Sequence, residues 1–331
     1  MQQSSTLKQL SEILHISVST VSRALNNHPD ISEETKIKVK ALAEKLEYEP
    51  NRHAIDLRNN TSYVLGILVP LLDDFFYESF AAAVEEDARE TGYAVIIMQS
   101  RENKDTEATN LKLLKTNRIA GVFVSNTGET EDISFFLKLH NSKVPVVFFD
   151  RVPEQDGCNK VCFADKEAAA IAAEALIAKK RKKVLAIFGH PKLSTSKKRY
   201  QSFTETFATQ SPQTIIDHHF AVSMQEAKAI TAAALKRLPL PDAVFCMSDL
   251  MLMGAMQAIH EKGLNVPGEI AVVSISNGLI PTLYNPKVTY VETSGYKLGK
   301  LAFKRMMECL NGSTFIQELK VDSILVPGGS L

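Results

Sequence analysis

Tryptophan is absent from the 331-residue chain, and cysteine occurs only four times. Cys158, Cys162, Cys246 and Cys309 form no CxxC pair, and they sit in apolar strand-like or helix-like runs. That pattern points to reduced thiols rather than a disulfide framework or a zinc site. Net charge is absent too, because 38 Lys/Arg balance 38 Asp/Glu. The first 60 residues are equally neutral, with eight of each sign. No basic field therefore directs the chain to nucleic acid, and any electrostatic partner must be met by one face. No apolar run reaches membrane-spanning length. The opening MQQSSTLKQLSE is polar and carries no signal core. The expectation is a cytoplasmic protein with no membrane partner. Also missing are a G-x-S-x-G elbow, a P-loop and a G-x-G-x-x-G after a strand. No catalytic residue, cofactor or metal is assigned. The adjacent pair His218-His219 lies in an alternating stretch, DHHFAV, where neighbours face opposite sides and share no metal. KKRKK (179–183) reads as a solvated loop between helix and strand.

What is present begins with helices. Thr6 opens a capping box before Leu7, Leu10, Ile13 and Leu14. His15 and Ile16 break that helix. Ser17 caps a second, SVSTVSRALNN, with Val18, Val21 and Leu25 read as its inward positions. Ser32, followed by Glu33 and Glu34, caps a third with the stripe Ile37, Val39, Leu42, Ala43 and Leu46. The second helix is odd, since Ser and Thr are mediocre helix formers. Two helices joined by a tight turn and braced by a third is the helix-turn-helix arrangement, whose second helix reads the major groove with its N-terminal residues. On that reading Val18 packs on a thymine methyl, Ser19 bonds a base edge and Arg23 makes a bidentate contact to guanine. Ser17, Thr20, Ser22 and Asn26 hold phosphates. The competing reading is a surface helix with incidental hydroxyls. Residues 49–62 form a polar linker in which Ala54, Ile55 and Leu57 allow a turn or two of helix, too short to be stable alone.

From Val64 the rhythm changes. Apolar runs of strand length (64–70, 93–100, 120–125, 144–151, 183–189, 242–249, 270–277) alternate with segments of helical periodicity (76–92, 105–117, 166–180, 224–237, 249–263). This β-α-β alternation predicts parallel sheets covered by helices, and its length predicts two doubly wound lobes with a seam near 155–165. A ligand belongs at the carboxyl ends of the strands, between the lobes.

The run from Thr6 to Arg58 resembles the DNA-binding head of the LacI–GalR family of bacterial transcription regulators. The matching pieces are S-V-S-T-V-S-R-A-L-N, P-D-I-S-E-E-T, Y-E-P-N-R and A-x-x-L-R. The body resembles that family's periplasmic-binding-protein-like core. The resemblance implies a helix-turn-helix domain at 1–48 and a hinge helix at 49–62. It also implies a first core lobe from 63–162 and 294–331, and a second from 163–293. It gives Leu57 the role of a wedge in the central base step, through the minor groove, with Arg58 beside it. Asn51 and Arg52 approach phosphates. It places Asp74, Phe76, Arg151, Arg199, Asp249 and Ser276 around an effector in the cleft.

Several positions depart from the family pattern. His15 and Glu47 stand where glycine is usual, which predicts strain of about 1 kcal/mol each if the backbone keeps positive φ. V-S-I-S-N (273–277) replaces V-G-F-D-D, so Ser276 stands for a ligand-binding Asp. Thr293 replaces a Gln. Either the effector differs from a common hexose or purine, or effector control is weakened. The resulting expectation is a nucleoid-associated homodimeric repressor, not an enzyme, with operator DNA and a small-molecule effector as partners. The rivals are a sugar receptor that reads no DNA and an enzyme on the same scaffold.

Overall fold

The computed structural model describes residues 6–48, 62–72 and 75–331. The chain divides into two compact units, Met1–Thr61 and Ser62–Leu331.

The first unit contains α1 (Leu7–Leu14), α2 (Val18–Leu25) and α3 (Glu33–Lys45). Each helix opens on a hydroxyl that accepts a backbone N–H three residues on: Thr6 from Gln9 (3.2 Å), Ser17 from Thr20 (3.1 Å) and Ser32 from Thr35 (3.3 Å). These contacts satisfy N–H groups that the first turn leaves orphaned. Leu10, Val21, Ala24, Val39 and Ala43 make the small core. Two expectations need correction. Val18 does not point inward; it is 43 % exposed, and Ala24 takes the buried place beside Val21. Ile37 is 65 % exposed. The helical repeat counted back from Val39 and Ala43 falls on Lys36, whose stem is buried while its ammonium pairs with Glu33 at 2.7 Å. His15 and Glu47 both hold positive φ, 54° and 47°.

The second unit holds two six-stranded sheets. The first contains β1 (Val64–Val69), β2 (Ala94–Gln99), β3 (Gly121–Val124), β4 (Val146–Phe149), β5 (Asn159–Phe163) and β11 (Glu318–Val321), all parallel, in the order β11-β5-β4-β3-β1-β2. Helices α4 (Phe75–Glu90), α5 (Lys104–Thr116), α6 (Ser134–Asn141) and α11 (Gly295–Leu310) belong with it. The second sheet is built from β6 (Lys183–Phe188), β7 (Ile215–Phe220), β8 (Ala243–Cys246), β9 (Ala271–Ser276), β10 (Thr289–Glu292) and β12 (Leu325–Val326). Its strands run in the order β12-β10-β9-β8-β6-β7. Helices α7 (Asp165–Ala178), α8 (Ser194–Gln210), α9 (Met224–Ala234) and α10 (Asp249–Lys262) pack on it. Central strands buried on both faces explain the near-continuous apolar runs in the sequence.

The chain passes between lobes after β5, after β10 and after β11. The last pass changes the expected partition. β12 pairs antiparallel with β10, and Ser330 bonds Val272 and Thr289, so the final residues belong to the second lobe rather than the first. The segment that starts α11 approaches α4 closely: a Cβ on Gly295 would stand 2.4 Å from the Phe76 carbonyl oxygen. Only glycine fits that approach.

Candidate functional site

Two surfaces carry candidate chemistry, one in each unit. On α2 the Ser17 hydroxyl does more than cap. It lies 2.7 Å from the Ser19 hydroxyl and 2.8 Å from that of Thr20, so three hydroxyls cluster at the N-terminal tip. Ser17, Val18 and Ser19 are exposed there. Arg23 is exposed one turn on, and its guanidinium makes no ion pair or hydrogen bond among the described residues. The Asn26 amide folds back to donate to the Ser22 carbonyl at 2.8 Å. No acidic side chain occupies the first turn of α2, where the helix dipole is positive. The arrangement offers hydroxyls, one apolar tip and one guanidinium to an outside partner. Asn51, Arg52, Leu57 and Arg58 lie outside the described residues.

The second surface is a cavity of about 540 Å³ between the two lobes of the body. Its walls are the segments just past the carboxyl ends of strands in both sheets. Phe76, Arg151, Arg199, Asp249 and Ser276 all line it. Asp74 lies outside the described residues. Tyr77, Glu102, Asp150, Phe163, Asn277 and Thr293 also line the cavity, and of these the sequence reading did not single out Tyr77, Glu102, Phe163 or Asn277.

The charges of the cavity are matched inside the protein. Arg199, 6 % exposed, donates Nε to Asp165 Oδ1 at 2.7 Å and Nη1 to the Met247 carbonyl at 3.0 Å. Burial raises the Asp165 carboxyl against the opposing pull of that guanidinium. Arg151 donates to Glu102 Oε1 at 2.6 Å, and Glu102 Oε2 accepts the Gly128 N–H at 3.2 Å. Asp150 sits at φ 54° and accepts from the Tyr77 hydroxyl at 3.0 Å. Burial pushes the Asp150 carboxyl up to about 6, although Arg151 and Arg199 pull the other way.

Ser276 shows what became of the replaced acid. Its hydroxyl donates to Asp249 Oδ1 and accepts the Gly278 N–H at 2.9 Å, while the Asn277 N–H donates to Asp249 Oδ2 at 3.1 Å. Ser276 and Asn277, at the positions where the resemblance leads one to expect an Asp-Asp pair, thus hold a single carboxylate. Asn277 also joins the lobes. Its side-chain amide donates to the Phe75 carbonyl at 3.3 Å and accepts the Gly295 N–H at 2.8 Å. Thr293 is tied to the Ser276 carbonyl through its backbone N–H at 2.8 Å.

His218 and His219 sit on β7 with separate partners, Tyr200 at 3.4 Å and Asp217 at 2.9 Å. Among the described residues no group of three or more His, Cys, Asp or Glu could hold a metal ion, and no helix is long and apolar enough to cross a membrane.

Comparison with known proteins matches both units. The family described as "Bacterial regulatory proteins, lacI family" matches residues 10–51, and "Periplasmic binding proteins and sugar binding domain of LacI family" matches residues 62–325. The ribose operon repressor of Halalkalibacterium halodurans is 28 % identical over 306 residues, covering 92 % of this chain and 89 % of that protein. The transcriptional repressor PurR of Vibrio atlanticus is 26 % identical over 307 residues, covering 92 % and 91 %. Among solved structures, a Lac repressor dimer bound to operator and the anti-inducer ONPF has the same fold, with a TM-score of 0.89 at 23 % identity and 99 % of each chain covered. With its helical head matched over residues 10–51 and its two-lobed body over 62–325, the chain belongs to the LacI family of bacterial regulatory proteins.

Proposed function

We propose that this protein is a sequence-specific transcription repressor that binds operator DNA as a homodimer and is controlled by a small molecule held between its core lobes. The observation that carries the reading is the α2 tip, where exposed hydroxyls, Val18 and an unpaired Arg23 project from a helix-turn-helix head of neutral charge. A neutral head gains no affinity from a global field, so its binding depends on where each donor points. Val18, Ser19 and Arg23 read base edges; Ser17, Thr20, Ser22, Asn26, Asn51 and Arg52 engage phosphates. Leu57 wedges at the operator centre, with Arg58 in the minor groove.

One head reads only a half-site, so two copies are needed. Exposed apolar side chains on the edge strands, Ile96 and Ile97 on β2 and Ile215 and Phe220 on β7, support a second copy as the partner. The relatives carry the names of repressors, which supports regulation rather than catalysis. A protein that works on the chromosome belongs in the bacterial cytoplasm, at the nucleoid.

In the body, Asp74, Phe76, Arg151, Arg199, Asp249 and Ser276 are the side chains assigned to the effector. Effector and operator bias the same lobe arrangement, so each changes the other's affinity by the same factor. The test is footprinting of the full chain on its own gene's upstream region at moderate salt. A protected site that competitor DNA does not remove is expected. Uniform binding without sequence preference sinks the proposal. Leu57→Ala is expected to lose the protected site while leaving the core's melting unchanged.

A further inference from the structure

Two loops at the far end of the second lobe carry charge that nothing in the protein answers. Residues 179–183, KKRKK, run from α7 into β6, and residues 235–242 run from α9 into β8. β6 and β8 are parallel neighbours, with Val184 opposite Ala243, so both loops sit at the amino ends of the strands. They are bonded to each other. The Asp242 N–H donates to the Lys183 carbonyl at 2.9 Å, and the Lys183 ammonium donates to the Pro239 carbonyl. The cavity of the cleft lies past the carboxyl ends of the same strands, at Gly189 and Met247. The six residues of β6 separate the two places by about 20 Å.

Lys179, Lys180, Lys182, Lys236 and Arg237 are exposed, and their side chains make no ion pair or hydrogen bond among the described residues. Asp and Glu are absent from 175–204 and from 227–241. The carboxylate that the loops do carry, Asp242, accepts the backbone N–H groups of Lys182 (2.8 Å) and Lys183 (2.9 Å). The carboxyl ends of α7 and α9 favour a cation or two through their dipoles. Five in one rim, with no carboxylate turned to them, repel each other and gain from an outside anion. The whole chain is neutral, so the rim is a local feature and not part of a general field.

The side chains say which anion. Lysine is a mobile point charge, suited to phosphates in a row rather than to one fixed carboxylate. Interfaces between proteins favour Arg and aromatic rings and are poor in Lys. The rim has four exposed lysines and one exposed arginine, and neither loop contains an aromatic residue. We propose that this rim is a second DNA-contact surface, blind to sequence, in which Lys179, Lys180, Lys182, Lys236 and Arg237 hold the phosphates of a duplex. It adds salt-dependent affinity without base readout, and it does not depend on which bases α2 prefers.

Fluorescence anisotropy of the full chain on a labelled duplex of random sequence, from about 50 to 200 mM salt, tests it. The variant Lys179→Gln, Lys180→Gln, Lys182→Gln, Lys236→Gln, Arg237→Gln is expected to bind at least about tenfold more weakly at the low-salt end. Its slope of log affinity against log salt should be shallower by at least about 2, the share of two or three phosphate contacts. The same change at Lys104, Lys112, Lys115, Lys138 and Lys143, exposed lysines of the first lobe, removes as much charge and should leave the slope unchanged. Circular dichroism melting checks folding. If the five-site variant melts early, the pair Lys180→Gln with Lys182→Gln carries the test, with a slope shallower by about 1 or more. Footprints on the gene's own upstream region should keep their position in every variant. Absence of a footprint in the unmodified protein defeats the operator reading and not the rim. An unchanged slope in the rim variant overturns the proposal. Equal loss in the first-lobe variant overturns it too, because net charge alone would then explain the binding. Polyglutamate or phosphatidylserine vesicles that bind the unmodified protein more tightly than the duplex does, and lose the rim variant, overturn it in favour of an acidic protein or a lipid face.

Discussion

On α2 the outward side chains are held by little besides each other: Val18 is 43 % exposed, Arg23 stands in solvent, and the tip hydroxyls bond among themselves. In the cleft Arg199 is 6 % exposed and tied to Asp165 and Met247, and Asp249 is gripped by Ser276 and Asn277. On the proposed function the contrast follows from what each surface would meet. Phosphates and base edges would arrive as a large charged partner, and donors kept in water lose little by waiting for it. A cleft that closes around a small molecule cannot leave charges loose, because burying an unpaired ion costs far more than a hydrogen bond returns. Substitutions should therefore damage folding in the cleft and recognition in the head.

The largest expected effect tests the cleft side. Asp165→Ala removes the one carboxylate hydrogen-bonded to the buried Arg199 guanidinium, leaving the Met247 carbonyl as its hydrogen-bond acceptor, and should lower core stability by about 3–5 kcal/mol. Urea unfolding measures it. The double change Asp165→Leu with Arg199→Met should recover most of the loss, because it removes both charges. If Asp165→Ala unfolds at the unmodified protein's midpoint, the charges of the cleft are not held by pairing.

Next comes pH. Burial raises the Asp150 carboxyl from 3.8 to about 6, so the folded protein binds this proton more tightly than the unfolded chain. The associated stability is complete below about pH 4 and is lost as pH rises through about 6. Asp150→Asn removes the loss while keeping an acceptor for Tyr77. Its stability relative to the unmodified protein should climb between pH 4 and 6 by about 2–3 kcal/mol, then level off. Carboxylates shifted downward, such as Glu154, are common to both proteins and cancel in the difference. A flat difference would show that Asp150 ionises without penalty.

The head should respond the other way. Arg23→Ala is expected to leave melting unchanged and to cost about 1–3 kcal/mol of discrimination between operator and random DNA. Competition footprinting reads this as a specificity ratio. A melting shift as large as that of Asp165→Ala would mean that Arg23 is structural, and the contrast would fail.

Legibility in the sequence divides along the same line. The tip of α2 could be read because a helix register is local: a cap at Ser17 fixes where Ser19 and Arg23 point. Local reading still misplaced Val18 and Ile37, where the sequence offers several apolar residues and tertiary packing selects Ala24 and the Lys36 stem. The β-α-β rhythm was plain, since central strands of a parallel sheet are apolar throughout. The short edge strands β11 and β12 were not, being too brief to show a period, and β12 moved the chain's end to the other lobe. In the cleft the resemblance led to Arg151 and Arg199, but not to Glu102 as the partner of the first. That contact joins residues 49 apart in sequence. Asp165 meets Arg199 across 34 residues. Asn277 could be flagged only as a departure; its bonds to Phe75 and Gly295 are features of the folded body.

The smallest expected effect sharpens the contrast within the head itself. His15 ends α1 in the left-handed region, φ 54° and ψ 37°, at the turn that leads into α2. A side chain pays about 1 kcal/mol there, and glycine would not. Glycine also loses more chain entropy on folding, which offsets about 0.5–1 kcal/mol of the gain. His15→Gly should therefore stabilise the head by no more than a few tenths of a kcal/mol, seen as a small rise in its melting temperature. Operator affinity should not move, because the turn residue is assigned neither a base nor a phosphate. A clear loss of affinity with unchanged melting would place the His15 imidazole on the DNA and extend the reading surface from α2 back into the turn.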